Sequence, residues 1–311
     1  MDKIVVGTRK SNLALKQAEW VIERLQAAEL PYTFEMEKIV TKGDQILDVT
    51  LNKVGGKGLF VKEIEKALED GVIDMAVHSM KDVPSALEEP FEIGAITERE
   101  DPRDVLISNG HVPFHELPAG AVVGTSSLRR SAQILAERPD VTVHWVRGNI
   151  ETRLRKLREE GFDAIVLAAA GLQRMGWTND IVTEFLDPEM CIPAVGQGAL
   201  GIEIRKGDER MQDVLKHLHH EEVAKRVTAE RAFLHAVEGG CQVPIGGFAN
   251  LEADGQVTLN AVVGEPDGTK LLKETETGYD AEAVGKAVAE RIAEAGGTAI
   301  IERVKAELNE G

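Results

Sequence analysis

Apolar positions along the first two-thirds of the chain switch repeatedly between two periods. Residues 3–8 form an apolar run of strand length. Ser11-Asn12 then opens a stretch to about residue 29 in which Leu15, Ala18, Ile22 and Leu25 share one helical face, and Leu30-Pro31 ends it. The pattern continues with a strand at 32–41, a glycine-bearing loop at 42–58, a helix at 59–70 and a buried strand at 73–78. A second stretch repeats the alternation. Strands at 121–125, 141–146 and 163–168 are interleaved with helices at 127–137 and 149–160, and a short helix lies near 172–175. Residues 198–205 read as a further strand, too apolar for a sheet edge. Strands alternating with helices predict parallel or mixed sheets covered on both faces.

The last segment has a different rhythm. A long helix at 220–238 leads into a glycine-rich turn, then strands at 247–252, 256–264 and 270–277. Asp254-Gly255 and Asp267-Gly268 supply the hairpin turns. Helices at 280–295 and 298–309 follow, which predicts an α+β domain with an antiparallel sheet. No internal repeat interrupts this plan.

Composition narrows the class. With 311 residues, 43% of them hydrophobic and 29% charged, the chain has core material for two or three domains. No run approaches the roughly 20 apolar residues of a membrane span. The first residues read as an immediate strand without a secretion signal, so the expected location is cytoplasmic. Cys191 and Cys241 cannot make a disulfide framework and fit a reducing compartment as free thiols. The net charge of −17 argues against nucleic acid and anionic membrane as partners. The charge is nevertheless uneven. Residues 121–155 hold six arginines against three acids, whereas residues 220–311 hold 17 acids against nine Lys and Arg. Such a basic island suits an acidic small ligand; the plainer alternative is a solvated helix face.

Three strand-to-helix junctions share one chemistry: Gly7-Thr8-Arg9-Lys10-Ser11-Asn12, Gly124-Thr125-Ser126-Ser127-Leu128-Arg129-Arg130 and Arg147-Gly148-Asn149-Ile150-Glu151-Thr152-Arg153. Each sets hydroxyl or amide side chains and backbone N–H groups at a helix start beside arginine, which suits a carboxylate or phosphate. A single junction of this kind reads as ordinary capping. Three of them at strand ends point to a ligand with several carboxylates. Gly55-Gly56-Lys57-Gly58 is not a nucleotide loop, because Leu59 stands where a P-loop needs a hydroxyl. A loop bringing Lys53 and Lys57 over an anion fits better, with a solvated loop as the alternative. In His78-Ser79-Met80-Lys81-Asp82-Val83-Pro84, Asp82 is placed as a catalytic acid or base, with Lys81 favouring its ionised form. The alternative is a turn aspartate bonded to its own backbone. His78 falls in the strand and is given no role. Cys191 reads as a small buried residue. Cys241, in Gly239-Gly240-Cys241-Gln242-Val243-Pro244-Ile245-Gly246-Gly247, reads either as a presented thiol or as part of a tight turn.

Taken together, these stretches resemble the porphobilinogen deaminase (hydroxymethylbilane synthase) family from Gly7-Thr8-Arg9 nearly to the C-terminus. Lys53-Val54-Gly55-Gly56-Lys57-Gly58-Leu59-Phe60, Val77-His78-Ser79-Met80-Lys81-Asp82-Val83-Pro84, Arg147-Gly148-Asn149 and Gly239-Gly240-Cys241 stand in the family's order with the first two junctions. The resemblance implies a monomeric enzyme that condenses four porphobilinogen molecules head to tail, releases ammonia each time and yields linear hydroxymethylbilane for tetrapyrrole (heme and porphyrin) synthesis. It implies a dipyrromethane cofactor, bound as a thioether to Cys241.

It also implies three domains: two α/β lobes with mixed sheets, like periplasmic solute-binding proteins, and a C-terminal α+β domain with an antiparallel sheet. The boundaries fall at 1–97 with 198–217, 102–191 and 220–311, with crossings near 97–102 and 191–198. By matched position, Arg9, Ser11, Lys81, Ser127, Arg129, Arg130, Arg147 and Arg153 bind pyrrole carboxylates, Gly148 belongs to the cofactor site, and Arg174 is a further candidate. Asp82 matches the catalytic carboxylate that holds pyrrole N–H groups and stabilises the cationic azafulvene formed as ammonia leaves. Phe60 either stacks on a pyrrole or fills the core, and Lys53 and Lys57 lie on the expected lid. A non-catalytic solute-binding protein for a polycarboxylate would explain the lobes and arginines but leaves Cys241 without a purpose. A regulator's ligand-sensing domain would need a helix-turn-helix, and the chain opens on a strand.

Overall fold

The alternation resolves into three sheets in a computed structural model that describes residues 2–41, 61–177, 179–240 and 242–310. Contacts divide the chain into two compact units, residues 1–99 with 198–225 and residues 100–197 with 226–311.

In the first unit, β1 (Asp2–Arg9), β2 (Tyr32–Ile39), β3 (Met75–Ser79), β4 (Phe91–Ile96) and β10 (Leu200–Arg205) form one mixed sheet in the order β2-β1-β3-β10-β4. β1 runs parallel to β2 and β3, while β10 is antiparallel to β3 and β4. The mostly apolar residues 200–204 therefore sit in an interior strand, as their pattern predicted. Helix α1 (Asn12–Ala27) covers one face, where Ala18, Val21 and Leu25 meet Ile4, Val6, Met75, Val77, Ile202 and Ile204. Each such buried aliphatic side chain contributes about 1.5–3 kcal/mol. Ile64 and Leu68 of α2 (Lys62–Glu69) pack with Ile73 and Ala76. Helix α6 (Glu209–Leu215) adds Met211, Val214 and Leu215 to the α1 side.

The second unit repeats the mixed topology. β5 (Asp104–Ser108), β6 (Val122–Gly124), β7 (Thr142–His144), β8 (Ala164–Ala168) and β9 (Glu184–Phe185) pair in the order β7-β6-β8-β5-β9. β6 is parallel to β7 and β8, and β5 is antiparallel to β8 and β9. Helices α3 (Leu128–Glu137) and α4 (Ile150–Glu159) follow β6 and β7, and α5 (Ala169–Arg174) follows β8. The same unit carries the antiparallel meander β11 (Ile245–Leu251), β12 (Val257–Gly264) and β13 (Leu271–Gly278). Helices α8 (Ala281–Glu294) and α9 (Gly297–Glu310) and the end of α7 (Glu221–Ala236) bury Phe233, Val288, Ile292 and Ile301 against Leu259 and Ala261. Both expected hairpin turns are present. Gly268 is obligatory in its turn: φ is +75° and a Cβ would lie 2.4 Å from the Ala136 nitrogen.

The sequence pattern missed β4, β5, β9 and α6. β4 carries Glu92 and Gly94 among its apolar residues, and β9 has only two residues, so neither shows a clear period. The short helix expected near 172–175 spans Ala169–Arg174. The loop at 42–58 and Cys241 lie outside the described residues.

Candidate functional site

Chemistry-bearing residues gather at the ends of parallel strands in each unit. In the first, β1 ends at Arg9 and Ser11 caps α1, its hydroxyl accepting from the Ala14 N–H at 3.3 Å. The buried Thr8 hydroxyl donates to the Ala14 carbonyl at 3.0 Å and ties the strand end to the helix start. Neighbouring β3 runs into a single 3₁₀ turn, Met80–Asp82. Its Met80 N–H donates to the Ala199 carbonyl at 3.0 Å, which fixes the turn on β10's approach. A cleft opens there, lined by Arg9, Ser11, Gln17, His78, Ser79 and Asp82 together with apolar Leu13, Ala14, Val61 and Val77. Gln17 Nε2 donates to Ser79 Oγ at 2.8 Å across its floor.

Asp82 is exposed, and its carboxylate makes no side-chain hydrogen bond or ion pair among the described residues. The backbone-bonded turn aspartate is thus not what the structure holds. A carboxylate beside Arg9 in a half-apolar cleft is available to a cationic or N–H-bearing ligand. Lys81, next to it, is half-buried.

In the second unit, β6 and β7 are parallel neighbours, so the N-termini of α3 and α4 lie at the same sheet end. Ser127 caps α3, accepting from Arg130 N–H at 3.4 Å; Asn149 caps α4, accepting from Thr152 N–H at 2.8 Å. Ser11, Ser127 and Asn149 are therefore caps, and the anion-binding capacity rests on the backbone N–H groups and the arginines. Gly148 makes the Arg147–Arg153 junction possible. Its φ is +116°, and a Cβ would lie 2.4 Å from Thr152 Cγ2. Its carbonyl accepts from Arg153 Nε at 2.9 Å. Burial, then the like charges of Arg130 and Arg147, pull the Arg153 pKa down to about 10. Burial also lowers Arg147, whose guanidinium lies 5.9 Å from the Trp145 ring centre. Arg174 ends α5, half-buried.

Arg129 and Arg130 stand apart from the others. Both are buried on Asp104, the first residue of β5, whose carboxylate has no solvent exposure. Arg129 Nη1 donates to Asp104 Oδ2 at 2.6 Å and to the Ile192 carbonyl at 2.8 Å. Arg130 donates to Asp104 Oδ1 at 2.7 Å and to the Val166 carbonyl at 2.9 Å. Gln197 Nε2 adds a bond to Oδ1 at 2.9 Å, and the Cys191 thiol lies 3.4 Å from Oδ2. Burial alone would raise the Asp104 pKa; Arg129 and Arg130 outweigh it and hold the group well below the usual carboxylate range. Burial, then Asp104, push the Cys191 thiol up to about 12, so it is an inert core residue. Asp104 and Gln197 escaped sequence reasoning because their partners lie up to 93 positions away. An isolated aspartate ahead of the apolar run 105–107 was the only signal.

The arginine group fits a bound polyanion. The like charges of Arg130 and Arg147 depress the proton affinity of Arg153, and Arg130 Nε is buried without a hydrogen-bond partner. Carboxylates placed there would relieve both. Lys53, Lys57, Phe60 and Cys241 lie outside the described residues.

A mixed α/β protein with an acid-bearing cleft in one unit and an arginine-rich pair of helix starts in the other is a class built for polycarboxylate small molecules. Residues 4–213 match the family described as porphobilinogen deaminase, dipyromethane cofactor binding domain, and residues 224–294 match the porphobilinogen deaminase C-terminal domain. The chain belongs to the porphobilinogen deaminase family. Relatives named porphobilinogen deaminase include those of Halalkalibacterium halodurans (61% identity over 98% of both chains) and Shouchella clausii (62% over 99% of both). That of Bacillus subtilis is 57% identical over 100% of this chain and 99% of its own. Among solved structures, the methionine binding protein MetQ matches 69% of this chain and 87% of its own, at 12% identity and a TM-score of 0.43.

Proposed function

We propose that this chain is a transferase that joins four porphobilinogen molecules head to tail, releasing ammonia at each addition, and frees linear hydroxymethylbilane by hydrolysis for tetrapyrrole synthesis. The observation that carries this reading is near-full-length identity of 57–62% to relatives named porphobilinogen deaminase. The bound dipyrromethane supplies the pyrrole end on which the product is built. The rest of the chemistry falls to the chain's own residues.

Asp82 is the catalytic carboxylate. Having no intramolecular partner among the described residues, it can accept from pyrrole N–H groups and stabilise the positive charge that develops as ammonia leaves the substrate. Arg9 and Ser11 receive substrate carboxylates in the cleft, and the apolar walls strengthen those interactions by excluding water. Ser127, Arg130, Arg147 and Gly148 hold cofactor carboxylates, as does Lys81, and Arg153 and Arg174 are further substrate contacts. Arg129 contributes by holding Asp104 and the start of α3. Cys241 carries the cofactor through a thioether. Lys53, Lys57 and Phe60 complete the substrate contacts. The working division is three domains: 1–97 with 198–217, 102–191, and 220–311. The protein acts as a monomer in the cytoplasm, with porphobilinogen as its partner and neither nucleic acid nor membrane; no described helix is long and apolar enough to cross a bilayer.

Incubation of the purified protein with porphobilinogen tests the reading. Ammonia and linear bilane appear together, four ammonia per bilane. Saturable binding of porphobilinogen with no ammonia released would instead make the chain a solute-binding protein.

A further inference from the structure

His78 and Glu203 form a buried pair that the role of Asp82 does not use. They lie two strand positions apart on facing strands: His78 is opposite Gly201 and Glu203 opposite Ala76. Both therefore project from the sheet face that α2 covers. His78 Nε2 lies 2.8 Å from Glu203 Oε2, with exposures of 7% and 0%. Glu203 Oε1 is buried with no hydrogen-bond partner. The register of β10 against β4 shifts between Ile202 and Glu203, and such bulges re-aim side chains beside active sites. His78 also lines the cleft that contains Asp82.

An ionised Glu203 accepts hydrogen bonds and cannot donate them, so it selects the imidazole tautomer protonated on Nε2. That leaves a lone pair on Nδ1, which has no hydrogen-bond partner among the described residues. A ring nitrogen held by a buried carboxylate, with the other nitrogen unbonded on a residue that lines a cleft, is the arrangement of an oriented general base.

We infer that His78, oriented by Glu203, is the proton acceptor of the Asp82 cleft, taking onto Nδ1 the proton that each condensation releases. This rests on the function proposed above. As the new carbon–carbon bond forms, a ring C–H bond breaks and its electron pair stays with the ring. The proton passes to Nδ1, Glu203 offsets the imidazolium charge, and the imidazolium then gives the proton to the ammonia already released when the azafulvene formed, which becomes ammonium. His78 and Asp82 thereby divide the work: Asp82 stabilises the cation and His78 clears the proton. The charged groups around the pair are Asp82 and Arg9 at the cleft, Lys81 next to Asp82 in sequence, Glu88 ahead of β4, and Lys62 and Glu65 on α2. Burial, then the negative charges of Glu203 and Glu88, raise Glu65 to about 7, so it requires its own control.

The test uses cofactor-loaded His78→Gln, Glu203→Gln and Glu65→Gln, each confirmed by intact mass. His78→Gln lowers kcat on the order of 100-fold, within the range of general acid–base groups, and leaves KM within about two-fold. The wild-type rate falls on acidification as the imidazole becomes protonated; His78→Gln loses that acid limb and Glu65→Gln keeps it. Glu203→Gln moves the limb to lower pH, because the imidazolium loses its counter-charge. In wild-type protein labelled with 15N-histidine, the His78 signal, assigned by its loss in His78→Gln or its shift in Glu203→Gln, shows the proton on Nε2 and the lone pair on Nδ1 near neutral pH. A His78→Gln kcat within two-fold of wild type, an unmoved acid limb, or a proton on Nδ1 would overturn the inference while leaving the deaminase reading standing. Wild-type protein that makes no bilane overturns that underlying reading instead.

Discussion

Asp82 and Asp104 are the same residue type at comparable places, one just past the end of β3 and one at the start of β5, and the fold uses them in opposite ways. Asp104 has no exposure and is surrounded by Arg129, Arg130, Gln197 and Cys191. Asp82 is exposed in a cleft, with no side-chain partner among the described residues. The arginines that the sequence offered to a ligand are, in two cases, already engaged by Asp104. What separates a structural carboxylate from a reactive one is the set of partners the fold gives it, and those partners are remote in sequence. A buried pair resists the loss of either member, whereas an unpaired exposed carboxylate contributes little to stability and is free for chemistry.

The sharpest way to break this contrast is to neutralise each aspartate in turn. Asp82→Asn lowers turnover by roughly 10²–10⁴-fold, with the cofactor retained and the unfolding free energy within about 0.5 kcal/mol of wild type. Steady-state kinetics and denaturant unfolding of the same preparation check both halves. A near-wild-type rate removes Asp82 from catalysis.

Asp104→Asn does the reverse. It leaves Arg129 and Arg130 as uncompensated buried charges and costs about 3–5 kcal/mol by denaturant unfolding. The pH dependence has a definite sign. Because the folded-state pKa of Asp104 is depressed, its contribution is complete above the unfolded carboxylate value, near ~3.9, and is lost as pH falls below it toward the lower folded value. Acid unfolding of Asp104→Asn should therefore be shallower than that of wild type. Equal slopes would mean that Asp104 is not ionised in the folded protein.

The smallest effect sharpens the difference between capping and ligand binding. Ser127→Ala removes the α3 cap and costs on the order of 1 kcal/mol of stability. If Ser127 also touches cofactor carboxylates, assembly of the thioether-bound cofactor by apo protein given porphobilinogen slows by more than that loss explains. If it only caps, cofactor assembly tracks stability.

Much of this was legible in the chain. Strand and helix periods located β1 to β3, β6 to β8 and the C-terminal meander, because each element buries one face and the apolar spacing records it. Ser11, Ser127 and Asn149 announced helix starts, and Asp254-Gly255 and Asp267-Gly268 announced hairpins, because those signals are local. Asp82 stood out through its turn. The rest depends on long-range pairing. Nothing near Arg129 indicates that Asp104, 25 positions earlier, will neutralise it. His78 looked like a strand residue without a task until β10, 125 positions on, brought Glu203 beside it. Three buried carboxylates, Asp104, Glu203 and Glu230, follow the same logic. Glu230 accepts from the N–H groups of Gly196 and Ala249 at 2.7 and 2.9 Å, a role no spacing rule reveals.

The central claim is a covalently held dipyrromethane on Cys241 in a porphobilinogen-polymerising enzyme. Intact mass spectrometry of the purified protein beside Cys241→Ser tests it most directly. The wild-type chain should exceed its sequence mass by two pyrrole units, while the variant stays at its sequence mass and makes no bilane. A wild-type chain that carries no excess even after incubation with porphobilinogen, or a variant carrying the same excess, would contradict the account.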